Sequence, residues 1–140
     1  MATIDRLQQE TISDFALFDD WNGKYEYLID LGKKLPLIDP RYKDEAHRIK
    51  GCQSQVWLHS ELKDDKLYFT ADSDAIITKG LIALLVHVLS GQPPKDIAEA
   101  DLYFIDRIGM HEHLSPTRSN GLLHMIERMK RSAQSFAERV

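Results

Sequence analysis

Apolar residues recur at helical spacing from the start of the chain. Between Thr3 and about Asp19 they fall at Ile4, Leu7, Ile12, Phe15 and Phe18, which predicts a helix with one buried stripe. Thr3 is its expected N-cap, because its hydroxyl can accept from an orphan backbone N–H. Asp19-Asp20 breaks the pattern. Asp20 then caps a second predicted helix with Tyr25, Leu28, Ile29 and Gly32 on one side. Pro36 and Ile38-Asp39-Pro40 end it, since proline lacks a donor and biases its predecessor away from helix. Residues 36–47 are polar after two prolines and read as a mobile surface loop with room for one helical turn.

The period then changes from helical to alternating. Val56, Leu58 and Leu62 alternate with Gln55, Trp57, His59 and Glu61, and Leu67, Phe69 and Ala71 alternate with Tyr68 and Thr70. Lys63-Asp64-Asp65-Lys66 joins the two runs as a short polar turn, so a hairpin with one core face is expected. Ile49 suggests a third short strand just before Gly51. Asp72-Ser73-Asp74 supplies N-caps for a helix from Ala75 to Ser90 that is apolar nearly all round, the expected centre of the fold. Gly91 closes it, and Pro93-Pro94 opens a short helix to Glu99. Leu102 to Met110 reads as helix or extended chain. Ser115-Pro116 starts a last helix running to about Glu138, with Leu122, Met125, Ile126, Met129, Ala133 and Phe136 buried. The sum is an α+β domain spanning residues 1–140, a small antiparallel three-stranded sheet covered by helices.

Composition narrows the function. A net charge of −4 argues against nucleic acid, which needs a concentrated basic face. The basic cluster Arg128, Lys130 and Arg131 is diluted by Glu127 and Glu138 and reads as a solvated helix face. The apolar run Leu81 to Leu89 is too short to span a bilayer, and the first residues lack a signal-peptide pattern. One cysteine excludes an internal disulfide, and a cytoplasmic, reducing location is expected.

That cysteine, Cys52, stands between Gly51 and the polar run Gln53-Ser54-Gln55, at the entrance to the first strand. A lone cysteine is often a small buried hydrophobe. Here glycine frees the backbone, the neighbours suit a loop tip, and Lys50 and Arg48 favour the nucleophilic thiolate. No second cysteine is present to resolve a redox cycle. A hydrolase would need one of the six histidines as its base, whereas a carrier needs only an accessible thiolate. His111-x-His113 with one cysteine is not a zinc spacing, and neither metal nor cofactor is expected. Arg118, in the first turn of the last helix, strengthens an anion-attracting field or is a plain surface arginine. Asp74 and Lys79 read as an N-cap and a snorkelling lysine.

Gly51-Cys52-Gln53-Ser54-Gln55-Val56-Trp57 resembles the signature of the SufE family, which includes CsdE. Three further blocks match in order: WNGKYEYLIDLGKKL from Trp21, DSDAIITKGLIA from Asp72 and HLSPTRSNGL from His113. The resemblance implies a fold related to the IscU scaffold, with the cysteine at a loop tip over an apolar pocket. It implies a sulfur carrier rather than an enzyme. A pyridoxal-phosphate cysteine desulfurase of the SufS or CsdA kind would pass persulfide sulfur to Cys52 and be stimulated by doing so. A scaffold such as SufBCD would receive the sulfur for iron–sulfur cluster assembly, and a homodimer is left open. Lys50 or Arg118 would supply positive charge at docking, Val56 or Leu81 would shelter the persulfide, and Gly51 would be a hinge. On that reading, Gly51→Val impairs acceptance and leaves the fold intact. From the residues alone, a stand-alone cysteine-dependent hydrolase and an interaction module with a silent cysteine remain open.

Overall fold

The computed structural model describes residues 2–139. Helix α1 (Ile4–Phe15) starts where expected, with the Thr3 hydroxyl accepting from the Arg6 amide at 3.1 Å. Its buried stripe includes two polar residues, Gln8 and Thr11. Gln8 is satisfied at both ends: its amide nitrogen donates to Asp101 O, and its oxygen accepts from the Phe104 amide. This links α1 to the far end of the chain and explains a polar residue in the core. Helix α2 (Trp21–Lys33) is capped by Asp20, whose Oδ1 accepts from Gly23 N at 2.9 Å.

Strands β1 (Val56–Lys63) and β2 (Lys66–Ser73) form the antiparallel hairpin in the register Val56↔Ser73 to Lys63↔Lys66. Asp64 and Asp65 both take positive φ, the conformation a tight two-residue hairpin turn requires. Val56, Leu58, Leu67, Phe69 and Ala71 face the core. They meet helix α3 (Ile76–Leu89), which is buried along most of its length and packs on the sheet and on α2. The α2–α3 crossing is close because Gly32 and Gly80 face each other. The chain continues through α4 (Pro94–Glu99), α5 (Phe104–Arg107) and α6 (Met110–His113), so the Leu102–Met110 segment holds one short helix and the start of another, with a turn at Gly109 between them. Helix α7 (Pro116–Ala137) packs against α4 and α3, with Ser115 Oγ accepting from Arg118 N at 3.2 Å.

The sheet has two strands, not three. Ile49 is buried and its amide donates to Val56 O at 2.8 Å, but the only pairing there is a single Arg48↔Trp57 bridge among the described residues. The reason is local. Asp44 Oδ1 accepts from the His47 amide and turns the chain in before Arg48, and Gly51 turns it out again. Too little extended chain remains for a ladder. On the other edge Ile38 N donates to Ala71 O, and Ala71 N to Pro36 O, so loops cover both edges of the hairpin.

Residues 36–47 pack more closely than a mobile loop would. A 3₁₀ turn over Pro40–Tyr42 lays the Tyr42 ring on His59 at 3.9 Å, nearly parallel, and Ile38 is buried. Lys43 from this loop and Lys79 from α3 both pair with Asp72, at 2.6 and 3.3 Å. Burial pushes the Asp72 carboxyl up, but its hydrogen bonds from Lys43, the Ser73 amide and Lys79 outweigh that and hold it below the usual range.

Candidate functional site

Cys52 sits in a loop whose ends are both anchored. On the near side, Leu58 N donates to His47 O at 2.9 Å, and Arg128 of α7 donates to Ala46 O and Arg48 O at 2.8 and 3.2 Å. On the far side, Gln55 and Asp74 exchange two bonds: Gln55 N to Asp74 Oδ1 at 3.0 Å, and Asp74 N to Gln55 O at 3.2 Å. Between these points Gly51 takes φ +92°, which inverts the chain direction and presses its backbone against the His124 ring.

The loop leaves Cys52 half-buried in the wall of a cavity of about 360 Å³. The cavity floor is Leu81 and Met125; its rim carries Gln53 and Ser54 from the loop, Thr78 from α3, and Ser115, Thr117 and Arg118 from α7. The thiol donates to Gly121 O at 3.6 Å, a weak sulfur bond. Burial alone pushes the thiol above its ordinary value, because a thiolate is poorly solvated here. In this arrangement Cys52 is a neutral, quiet group. Its alkylation by iodoacetamide at pH 7 is expected to be several-fold slower than in the urea-unfolded chain. The rate should still be climbing above pH 9, where a free thiol of pKa about 8.5 levels off. A native rate equal to the unfolded one would show that the cavity does not hold the thiol.

A region matching the family model of SufE, described as an Fe-S metabolism associated domain, covers residues 9–133. The chain belongs to the SufE family. Uncharacterized SufE-like proteins of Rhizobium etli and Rhizobium meliloti are each 39% identical over 96% of this chain, covering 91% and 96% of their own lengths. SufE-like protein 1, chloroplastic/mitochondrial, of Arabidopsis thaliana is 38% identical over 89% of the chain, which spans 34% of that longer protein. A hypothetical protein from Thermus thermophilus, solved in solution, shares the fold at a TM-score of 0.77 and 21% identity, covering 92% of this chain and 94% of its own. These matches place the chain in iron–sulfur metabolism.

Within this SufE fold the residues singled out from sequence separate. Arg118 shares the cavity with Cys52, whereas Lys50 lies on the other side of the loop, in a groove with His124, Glu127 and Arg131. Asp74 does not cap α3; Ala75 holds that position with no side-chain bond, and the Asp74 carboxylate binds the loop instead. Lys79 pairs with Asp72 rather than snorkelling. No histidine lines the Cys52 cavity among the described residues; His124 packs against the neighbouring Gly51 instead. His111 meets Ser119 Oγ at 3.0 Å and the His113 ring stacks on Trp21 at 3.8 Å, so each has a packing role. No helix among the described residues is long and apolar enough to cross a membrane.

The contacts of Arg128, Lys130 and Thr78 escape a reading of the sequence. Arg128 was expected in solvent but grips two loop carbonyls, and Lys130 donates to Ala100 O. Thr78 follows two isoleucines and carries no local signal, yet it lines the Cys52 cavity.

Proposed function

We propose that this protein is a covalent sulfur carrier that accepts persulfide sulfur from a pyridoxal-phosphate cysteine desulfurase onto Cys52. The observation that carries the reading is a lone thiol set in the wall of a cavity by a loop anchored at both ends, in a chain of the SufE family. A carrier has two needs that conflict: a thiol that reaches a partner's sulfur, and a product that is kept from solvent. A short loop with a hinge at Gly51 meets both by alternating between extended and sheltered positions.

In the extended position Cys52 leaves the burial that suppresses its ionisation, and its thiolate attacks the outer sulfur of the donor's persulfide. A new S–S bond forms on Cys52, the donor's S–S bond breaks, and the donor cysteine leaves as thiolate. Removing that sulfur frees the desulfurase for another turnover, which is how the carrier stimulates it. Withdrawn into the cavity, the persulfide is held for a scaffold of the SufBCD kind. The chain acts as one domain without a cofactor of its own, in a reducing compartment where a single thiol stays reduced.

Incubation with a desulfurase and free cysteine, followed by mass spectrometry, tests this. The Cys52 peptide is expected to gain one sulfur atom that reduction removes, and Cys52→Ser is expected to gain none and to stop stimulating the desulfurase. Sulfur appearing on no peptide, or stimulation surviving in Cys52→Ser, would refute it.

A further inference from the structure

Thr78 is 7% exposed and lines the same cavity as Cys52. A threonine hydroxyl inside a helix commonly donates to the carbonyl one turn back, as Thr11 does to Leu7 O at 2.7 Å. Thr78 shows no such bond: among the described residues its hydroxyl forms no hydrogen bond like that of Thr11, although the residue is buried and lines the cavity. Nor is the oxygen sealed inside the protein. Among the described residues the one sealed and unbonded side-chain atom is Arg48 Nε, which is 3.4 Å from Glu45 Oε1 without hydrogen-bond geometry. The Thr78 oxygen therefore opens on the cavity.

The surroundings favour negative charge. Thr78 belongs to the first turn of α3, whose N-terminus has no side-chain cap and so keeps free backbone donors. Ser115, Thr117 and Arg118 come from the start of α7. Two helix N-termini thus meet at one cavity, and each attracts an anion. Besides Cys52, Arg118 is the one ionisable residue in the lining, and no acid is present there. The charged neighbours of Thr78 on its own side are committed elsewhere: Asp74 to Gln55 N, and Lys79 to Asp72.

An uncharged thiol does not use these features. A persulfide does, because it is the stronger acid and its outer sulfur extends one bond further into the cavity. We propose that the Thr78 hydroxyl donates a hydrogen bond to the outer sulfur of the Cys52 persulfide anion, held between the amino ends of α3 and α7. This rests on the carrier reading above and adds a residue to it. It also gives the sheltered position a preference: the empty thiol is held by burial and one weak bond, while the loaded anion gains a donor and two dipoles. The cavity then retains the loop more firmly after loading than before.

The test compares wild type, Thr78→Val and Thr78→Ser, each loaded by a desulfurase with free cysteine. Mass spectrometry reads the extent of loading, and the pH profile of persulfide alkylation reads the anion. Thr78→Val should still accept sulfur, and its loaded fraction is measured so that both further readouts are normalised to persulfide. Its profile should shift up by about one pH unit, a roughly tenfold loss of anion stabilisation, because a donor to the charged form lowers its pKa. Its sulfur should also be lost to dithiothreitol several-fold faster. Thr78→Ser, which keeps the hydroxyl, should restore both. A Thr78→Val profile and lifetime equal to wild type would overturn the proposal, as would a Thr78→Ser variant that behaves like valine. Wild type that does not load would instead overturn the carrier reading and this proposal with it. Thermal melting of each variant separates a folding defect from either result.

Discussion

Alanine at Gly80 is expected to destabilise the protein by about 1–3 kcal/mol, although alanine is the better helix former. In an exposed helix interior the same change would add roughly 1 kcal/mol of stability. Here the added Cβ would lie 2.6 Å from the Leu28 carbonyl oxygen and 3.0 Å from its carbonyl carbon. Those are backbone atoms of α2 and cannot swing aside. The facing Gly32 is less tightly placed, its notional Cβ 3.1 Å from Gly80 N. The two helices would have to separate, and α3 would draw away from the hairpin that it supports. Thermal unfolding followed by circular dichroism should show a midpoint lower by roughly 3–10 °C. An unchanged or higher midpoint would mean that the crossing is looser than its geometry indicates.

Gly51→Val is expected to expose Cys52 rather than to disable it. From sequence alone, a hinge glycine suggests that valine would slow sulfur acceptance. The structure changes the expected sign, because the strain falls on one position of the loop. Sheltered, Gly51 takes φ +92°, and any Cβ would lie 2.5–2.6 Å from the His124 ring. A β-branched residue in that backbone region costs about 1–2 kcal/mol before the contact with His124 is counted. An extended loop of the kind proposed above, with this turn undone, would bear neither cost. The equilibrium therefore shifts outward by about tenfold for each 1.4 kcal/mol, and alkylation of Cys52 at pH 7 should accelerate by that order. Persulfide loaded onto the variant should be lost faster to reductant, while the melting temperature changes little. Adding His124→Ala should recover only the part due to the ring. Alkylation at the wild-type rate in Gly51→Val would show that sheltering does not depend on this turn.

Much of this molecule was legible in the order of its residues, where the signal is local. The Lys63–Lys66 turn fixes the hairpin register, the near-continuous apolar run marks α3 as central, and Ser115-Pro116 marks the start of α7. The GCQSQVW block pointed to the family whose model matches residues 9–133. What was missed depends on groups far apart in the chain. Arg128 looked solvated because its charged neighbours are solvated; its two partners are about eighty residues away. Asp74 looked like a cap because it precedes a helix, but its carboxylate found an amide nineteen residues earlier. Ile49 looked like a strand because it is apolar and buried, but burial does not guarantee a ladder when the chain turns on both sides. Thr78 had no periodic signature, since one hydroxyl among aliphatic residues does not alter a helical stripe.

The anchors on either side of Cys52 limit how far its thiol reaches. Only Lys50 to Ser54 lies between the bonded amides of Ile49 and Gln55. Stretched fully, each arm of that tether is about three residues, or roughly 10 Å. The thiol therefore works within a fixed radius, and affinity does not lengthen it. On the carrier reading proposed above, a donor whose sulfur is seated deeper than this would have to lift its own cysteine to the rendezvous, and the short leash would act as a ruler that selects among sources.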